Sequence, residues 1–249
     1  MHLGAGDIAG LAAAGFAAGA INSAAGGGSL VSFPTLVAIG YPALVANVTN
    51  TVALCPGYFG GVLEYRRELA GQRPRLIPLT TVSVAGALAG AALLGATSQA
   101  TFRAAAPALV LAACALLALQ PTVKRRLARR RGKHRWVLAA QLPAAIYGAY
   151  FGAGLGVVVL AILAVLVDDT LQRLNAAKAW LSLAINVVAA AYFIAFESVR
   201  WEAVAVVAPA SLLGGPAGVF VARRLSDRTL RLSVIAFGVA ASAYLATTI

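Results

Sequence analysis

Long apolar stretches alternate with short clusters of charge along the chain. Eight stretches lie near the roughly 20 apolar residues that a helix needs to cross a bilayer. They are Ile8–Ala25, Ala43–Leu63, Leu76–Gly95, Phe102–Leu119, Trp136–Phe151, Leu174–Phe196, Ala203–Val221 and Leu230–Thr247. Two further runs, Gly28–Ile39 and Gly156–Val167, are too short to cross alone. They predict half-helices or the return arms of re-entrant hairpins. The expected fold is an all-α polytopic integral membrane protein with about eight long transmembrane helices and two short segments.

Charge gives this pattern an orientation. Of 249 residues, 61% are hydrophobic and 11% charged, and the formal net charge is +12. Soluble domains are far more charged than this, and disordered chains far less apolar. Sixteen of the twenty basic residues fall in three segments. The first holds Arg66, Arg67, Arg73 and Arg75; the second runs from Lys124 to Arg135; the third holds Arg223, Arg224, Arg228 and Arg231. The positive-inside rule places all three in the cytoplasm, with the weakly basic connections 96–101 and 197–202 outside. The run KRRLARRRGKHR resembles a nucleic-acid patch in isolation, but apolar helices flank it, so no nucleic-acid partner is expected. No Lys or Arg precedes the first apolar run, which therefore reads as a membrane segment rather than a cleaved leader.

The chain also repeats. Residues 19–121 align without a gap on 147–249. Ser83, Gly86, Ala89 and Gly90 fall on Ser211, Gly214, Ala217 and Gly218, Gly26 and Gly28 on Gly154 and Gly156, and Asn47 on Asn175. Equivalent connections were assigned to opposite sides, so the repeat is expected to be inverted: residues 1–121, a basic cytoplasmic loop 122–135, then residues 136–249. Inverted repeats with interrupted segments in matching positions are a mark of many secondary transporters.

Three polar constellations stand out from the apolar background. Asn22 and Ser23 precede Gly26, Gly27, Gly28 and Ser29, with Pro34 beyond. Three consecutive glycines weaken a helix by about 1 kcal/mol each relative to Ala. A helix break there would offer backbone amides and a helix N-terminus to an anion; the alternative is a tight turn between apolar helices. Its counterpart, Tyr150-Phe151-Gly152-Ala153-Gly154-Leu155-Gly156, lacks the strand and acid of a dinucleotide site and reads as a second break. Asn47, Thr49, Asn50 and Thr51 form the second constellation, suited either to a solute or to hydrogen bonding between helices. The third is Asn175 and Lys178, which share a helix face, with Asn186 further on. An ionisable residue within a membrane helix is a functional candidate by default. No acid stands three or four residues from Lys178, although Asp168 and Asp169 could reach it through the preceding turn. Lys178 either snorkels to the interface or points inward, where its charge would favour an anionic solute.

Other chemistry is poorly supplied. His2 and His134 are isolated, and Cys55 and Cys114 lie in apolar runs and form no CxxC motif. No P-loop, GxSxG or HExxH occurs, and the acids cluster near segment ends. No metal, cofactor or enzymatic activity is expected.

The stretch GAINSAAGGGSLVSFPTLVAIGYPALVANVTNTVALCPG resembles the first-repeat signature of the sulfite exporter TauE/SafE family of membrane permeases. The stretch GAYFGAGLGVVVLAILAVLVDDTLQRLNAAKAWLSLAINVVAA resembles that family's second signature. Membership would imply a permease for a small sulfur-containing anion such as sulfite or an organosulfonate. The matching positions are Asn22, Gly26, Gly27, Gly28, Ser29, Pro34, Asn47, Thr49, Asn50, Gly152, Gly154, Gly156, Asn175, Lys178 and Asn186. Ser23 and Tyr150 join the candidate substrate-binding set by position. The alternatives of another class are an anion channel and a non-transporting membrane protein, either an intramembrane enzyme or an assembly factor. The expected partners are a small anionic solute and the lipid bilayer of the cytoplasmic membrane, with a second copy of the chain as a candidate oligomer partner.

Overall fold

The computed structural model describes residues 3–24, 26–127, 134–222 and 227–248. The centre of the long basic run and the pair Arg223 and Arg224 lie outside the described residues. The described residues form ten helices: α1 (Ala5–Ala24), α2 (Ser29–Ala38), α3 (Ala43–Glu64), α4 (Arg73–Gly95), α5 (Gln99–Leu127), α6 (His134–Tyr150), α7 (Leu155–Leu166), α8 (Leu171–Phe196), α9 (Trp201–Ala222) and α10 (Asp227–Thr248). Eight are long, and two, α2 with 10 residues and α7 with 12, are short. By length and composition, Arg73–Gly95, Gln99–Leu119 and Gln172–Phe196 are apolar enough to cross a membrane. Several helices overrun their apolar stretches: Arg73 and Arg75, expected in a connection, open α4 instead.

The helix pairings are balanced. α1 packs on α9 and α6 on α4; α3 packs on α9 and α8 on α4; α2 lies against α10 and α7 against α5. α3 meets α8, and α5 meets α10. Exchanging α1–α5 for α6–α10 maps this set of pairings onto itself. Glycine makes close contacts possible between matching helix pairs. A Cβ on Gly19 would strike the Ser211 carbonyl across α1 and α9, and one on Gly90 would strike the Ile146 carbonyl across α4 and α6. Without Cβ atoms the backbones approach closely, and dispersion rather than expulsion of water holds the helices together. Buried hydroxyls add bonds between helices: Gln141 donates to Ser83 at 2.9 Å, and Ser242 to the Pro107 carbonyl at 2.9 Å. Large apolar side chains remain on the outside, among them Leu213 at 68% and Ile77 at 65% exposure. That surface suits hydrocarbon better than water.

Hydrogen bonds identify the two ends of the bundle. At one end, Gln72 donates to the Arg173 carbonyl (3.0 Å) and Arg75 pairs with Asp169 (3.0 Å), joining the α3–α4 and α7–α8 connections. At the other, Tyr41 donates to Glu202 (3.2 Å) and the Arg200 N–H donates to Thr49 (3.1 Å), tying the start of α3 and the connection before it to the start of α9 and the connection before that. We call the first the arginine end.

Candidate functional site

Both short helices begin at a glycine-built break. Gly26 has φ of 83°, and Gly152 and Gly154 have φ of 76° and 75°, a region that favours glycine. The Gly26 N–H reaches back five residues to the Ile21 carbonyl (2.9 Å), and the Gly152 N–H likewise to Tyr147 (3.2 Å). Such bonds end a helix and satisfy its last carbonyls. A side chain then fastens each break. Asn22 Oδ1 accepts the Gly28 N–H at 2.7 Å, and the Tyr147 hydroxyl donates to the Ala153 carbonyl at 2.5 Å. α1–α2 thus forms a hairpin whose chain ends lie away from the arginine end, and α7 returns towards the arginine end. At about 15 Å and 18 Å long, α2 and α7 each reach only part-way through a hydrocarbon core of about 30 Å.

The two breaks touch. A Cβ on Gly26 would lie 2.7 Å from the Gly156 Cα, and one on Gly156 would lie 2.8 Å from the Gly26 Cα. Beside this contact is a small cavity, with about 20 Å³ of space, enough for about one water. Asn22, Ser23 and Gly26 line it from the first break, Gly156 from the second, Gly57, Tyr58, Gly61 and Tyr65 from α3, and Lys178, Ala179 and Ser182 from α8. Lys178 is 4% exposed, so its ammonium is held inside the helix bundle and does not reach the surface. No carboxylate stands among these lining residues. The cavity extends along α3 to Tyr65, where that helix ends at the arginine end.

On the other side of the breaks aromatic rings pack together. Phe33 meets Phe151 edge-on at 5.5 Å and Phe102 at 6.4 Å, and Phe102 lies 6.0 Å from Tyr150. The Tyr150 hydroxyl is 3.4 Å from Thr97, just past the end of α4 that lies away from the arginine end. Phe33, Phe102 and Phe151 are all at most 2% exposed.

The family profile described as sulfite exporter TauE/SafE matches residues 11–245. The chain belongs to the TauE/SafE family. It is also similar to the probable membrane transporter protein ORF9 of Sinorhizobium sp., 27% identical over 213 residues, which is 85% of this chain and 81% of that protein. No solved structure matches it. The protein is therefore a membrane transporter of the TauE/SafE family.

Within this TauE/SafE transporter, the polar positions singled out from the sequence divide into two groups. Asn22, Ser23, Gly26, Gly156 and Lys178 come together at the cavity. The others serve its frame. Gly28 takes the Asn22 bond, Ser29 is buried at the start of α2, and Gly27 faces Leu30, Leu117 and Val234. Gly154 supplies the left-handed residue ahead of α7. Asn50 accepts from Ser32 at 2.5 Å, Asn47 donates to the Tyr150 carbonyl at 2.9 Å, and Thr49 accepts from Arg200. The polar cluster on α3 is thus used between elements rather than in the cavity. Asn175 is half-buried a turn before Lys178, and Asn186 is buried two turns after it, its Oδ1 enclosed without a partner.

Asp169 does not serve Lys178. It pairs with Arg75 and with Arg173, each at 3.0 Å, and accepts the Thr170 N–H at 2.8 Å. Burial works to raise its carboxyl, but Thr170, Arg173 and Arg75 outweigh that and hold it below the usual aspartate range. Among the described residues, no group of three or more His, Cys, Asp or Glu is placed to hold a metal.

Sequence reasoning missed Gly57, Tyr58, Gly61, Tyr65, Ala179 and Ser182. Ser182 carried a usable signal: it lies four residues beyond Lys178 and so shares its face. The α3 residues carried none, because glycine and tyrosine in an apolar helix read equally well as packing.

Proposed function

We propose that this transporter moves a small sulfur-containing anion, such as sulfite or an organosulfonate, across the cytoplasmic membrane, binding it in the cavity beside Gly26 and Gly156. One observation carries the reading: the buried Lys178 lines the cavity at which the two helix breaks meet. An ionisable side chain held inside a membrane bundle marks a solute path, and a positive one favours an anion. The first turn of α7 begins at the same place, and its dipole favours negative charge.

The arginine end is cytoplasmic by the positive-inside rule. The chain is two inverted repeats with eight crossing helices, and the hairpins α1–α2 and α6–α7 enter from opposite sides. The cavity leads towards the cytoplasm, the Phe33–Phe102–Phe151 rings close the outer path, and alternating access moves one repeat against the other. At about 20 Å³ the cavity is tighter than such an anion needs, so uptake requires α3 and α8 to part near Tyr65.

Purified protein in liposomes tests the substrate class, with sulfite, thiosulfate, an alkyl sulfonate, sulfate and chloride offered in parallel. The reading expects saturable uptake of at least one sulfur oxyanion. Uptake of none of them, or of chloride alone, overturns it.

A further inference from the structure

Hydroxyls inside helices ordinarily turn back and donate to the carbonyl four residues earlier. Thr35, Thr51 and Thr81 do so here, onto Val31, Asn47 and Ile77 at 2.8, 3.1 and 3.1 Å. Ser182 does not. It is 1% exposed, and its Oγ is the one side-chain hydroxyl among the described residues that is enclosed with no partner. It also lines the cavity that Lys178 lines. Native proteins rarely leave a buried polar atom unsatisfied, and one that does stay so calls for an explanation.

We infer that Ser182 is a substrate-contacting residue, its hydroxyl donating to an oxygen of the anion whose charge faces Lys178. One helical turn separates Ser182 from Lys178, so both present to the same side of α8. A polyatomic oxyanion offers separate oxygens to the ammonium and to the hydroxyl, which fixes its orientation as well as its charge. The wall opposite is kept free of side chain: a Cβ on Gly156 would already lie 3.5 Å from Lys178 Cδ. The inference rests on the reading above that the cavity takes an oxyanion. It adds the group that recognises the oxygens.

The test uses Ser182→Ala and Ser182→Thr in full-length protein, measuring sulfite uptake kinetics in liposomes and anion-free melting in detergent. Ser182→Ala is expected to raise KM about tenfold, the value of one hydrogen bond to a charged acceptor. Its maximal rate is expected to stay within about twofold, as when binding alone is lost. Ser182→Thr, which keeps the hydroxyl, is expected to stay within about threefold of wild-type KM. The anion-free Tm of Ser182→Ala is expected at or above wild type, because the hydroxyl has no internal bond to lose. A wild-type KM in Ser182→Ala overturns the assignment, as does a KM rise accompanied by a fall in the anion-free Tm. If wild-type protein carries no sulfur oxyanion, the transport reading fails and this assignment with it. If wild type transports and Ser182→Ala matches it, the assignment alone fails.

Discussion

Gly26 and Gly156 stand back to back, each occupying the space that a Cβ on the other would need: 2.7 Å in one direction and 2.8 Å in the other. They belong to different halves of the chain, and their contact is where the two helix breaks meet. Gly26→Ala is expected to fail twice, through the 2.7 Å approach and through a φ of 83° that L side chains rarely adopt. The strain of a non-glycine residue there is about 1–3 kcal/mol. Melting should fall and transport should be lost. Gly10→Ala, which meets nothing within 4 Å, is expected to keep both. Equal behaviour of the two variants would mean that the break contact is dispensable.

Acid should loosen the arginine end before the rest. The folded Asp169 carboxyl is held below its usual range, so its pairing stabilises the protein above the ordinary aspartate pKa. That contribution is lost as pH falls through the folded value. With the side chain 17% exposed, we expect at most about 1 kcal/mol at neutral pH. Melting curves between pH 7 and pH 3 check this: Asp169→Asn should start lower at pH 7, and its gap from wild type should narrow towards acid. A constant gap would contradict the assignment.

The aromatic seal is expected to hold both the fold and the barrier. Phe151→Ala removes a ring that is 2% exposed and edge-on to Phe33 at 5.5 Å. Buried Phe→Ala changes cost about 3–5 kcal/mol. The variant should melt lower and leak anions from preloaded liposomes without substrate outside. A variant that melts lower but stays tight would move the outer barrier elsewhere.

Orientation is open to single-cysteine labelling. Arg67→Cys, at the exposed arginine end, should react with an impermeant reagent only in inverted vesicles, and Ser198→Cys, exposed at the opposite end, only in intact cells. Both cysteines reacting from one side would remove the inverted arrangement.

The helix inventory was largely legible in the sequence because apolar length and glycine placement are local properties. The short helices, expected at 28–39 and 156–167, lie at Ser29–Ala38 and Leu155–Leu166. The candidate site was legible only in part. Lys178 and the glycines declared themselves by being expensive in an apolar helix. Asn47, Thr49 and Asn50 looked equally suited to a solute or to neighbouring helices, and spacing along one helix does not say which helix it faces. Ser182 was legible only by its spacing from Lys178, and a lone serine is cheap in a helix, where it ordinarily bonds its own backbone. Its enclosed, partnerless oxygen is what sets it apart.

The central claim is that an anion is held at Lys178 between the two helix breaks. Counterflow of labelled sulfite into liposomes preloaded with unlabelled sulfite tests it most directly, with wild type compared against Lys178→Gln and the loop variant Arg67→Gln. Wild type and Arg67→Gln should show transient accumulation above equilibrium, and Lys178→Gln should fall by at least about a hundredfold, the loss expected for removing a buried charge contact. Undiminished counterflow in Lys178→Gln, or an equal loss in Arg67→Gln, would contradict the account.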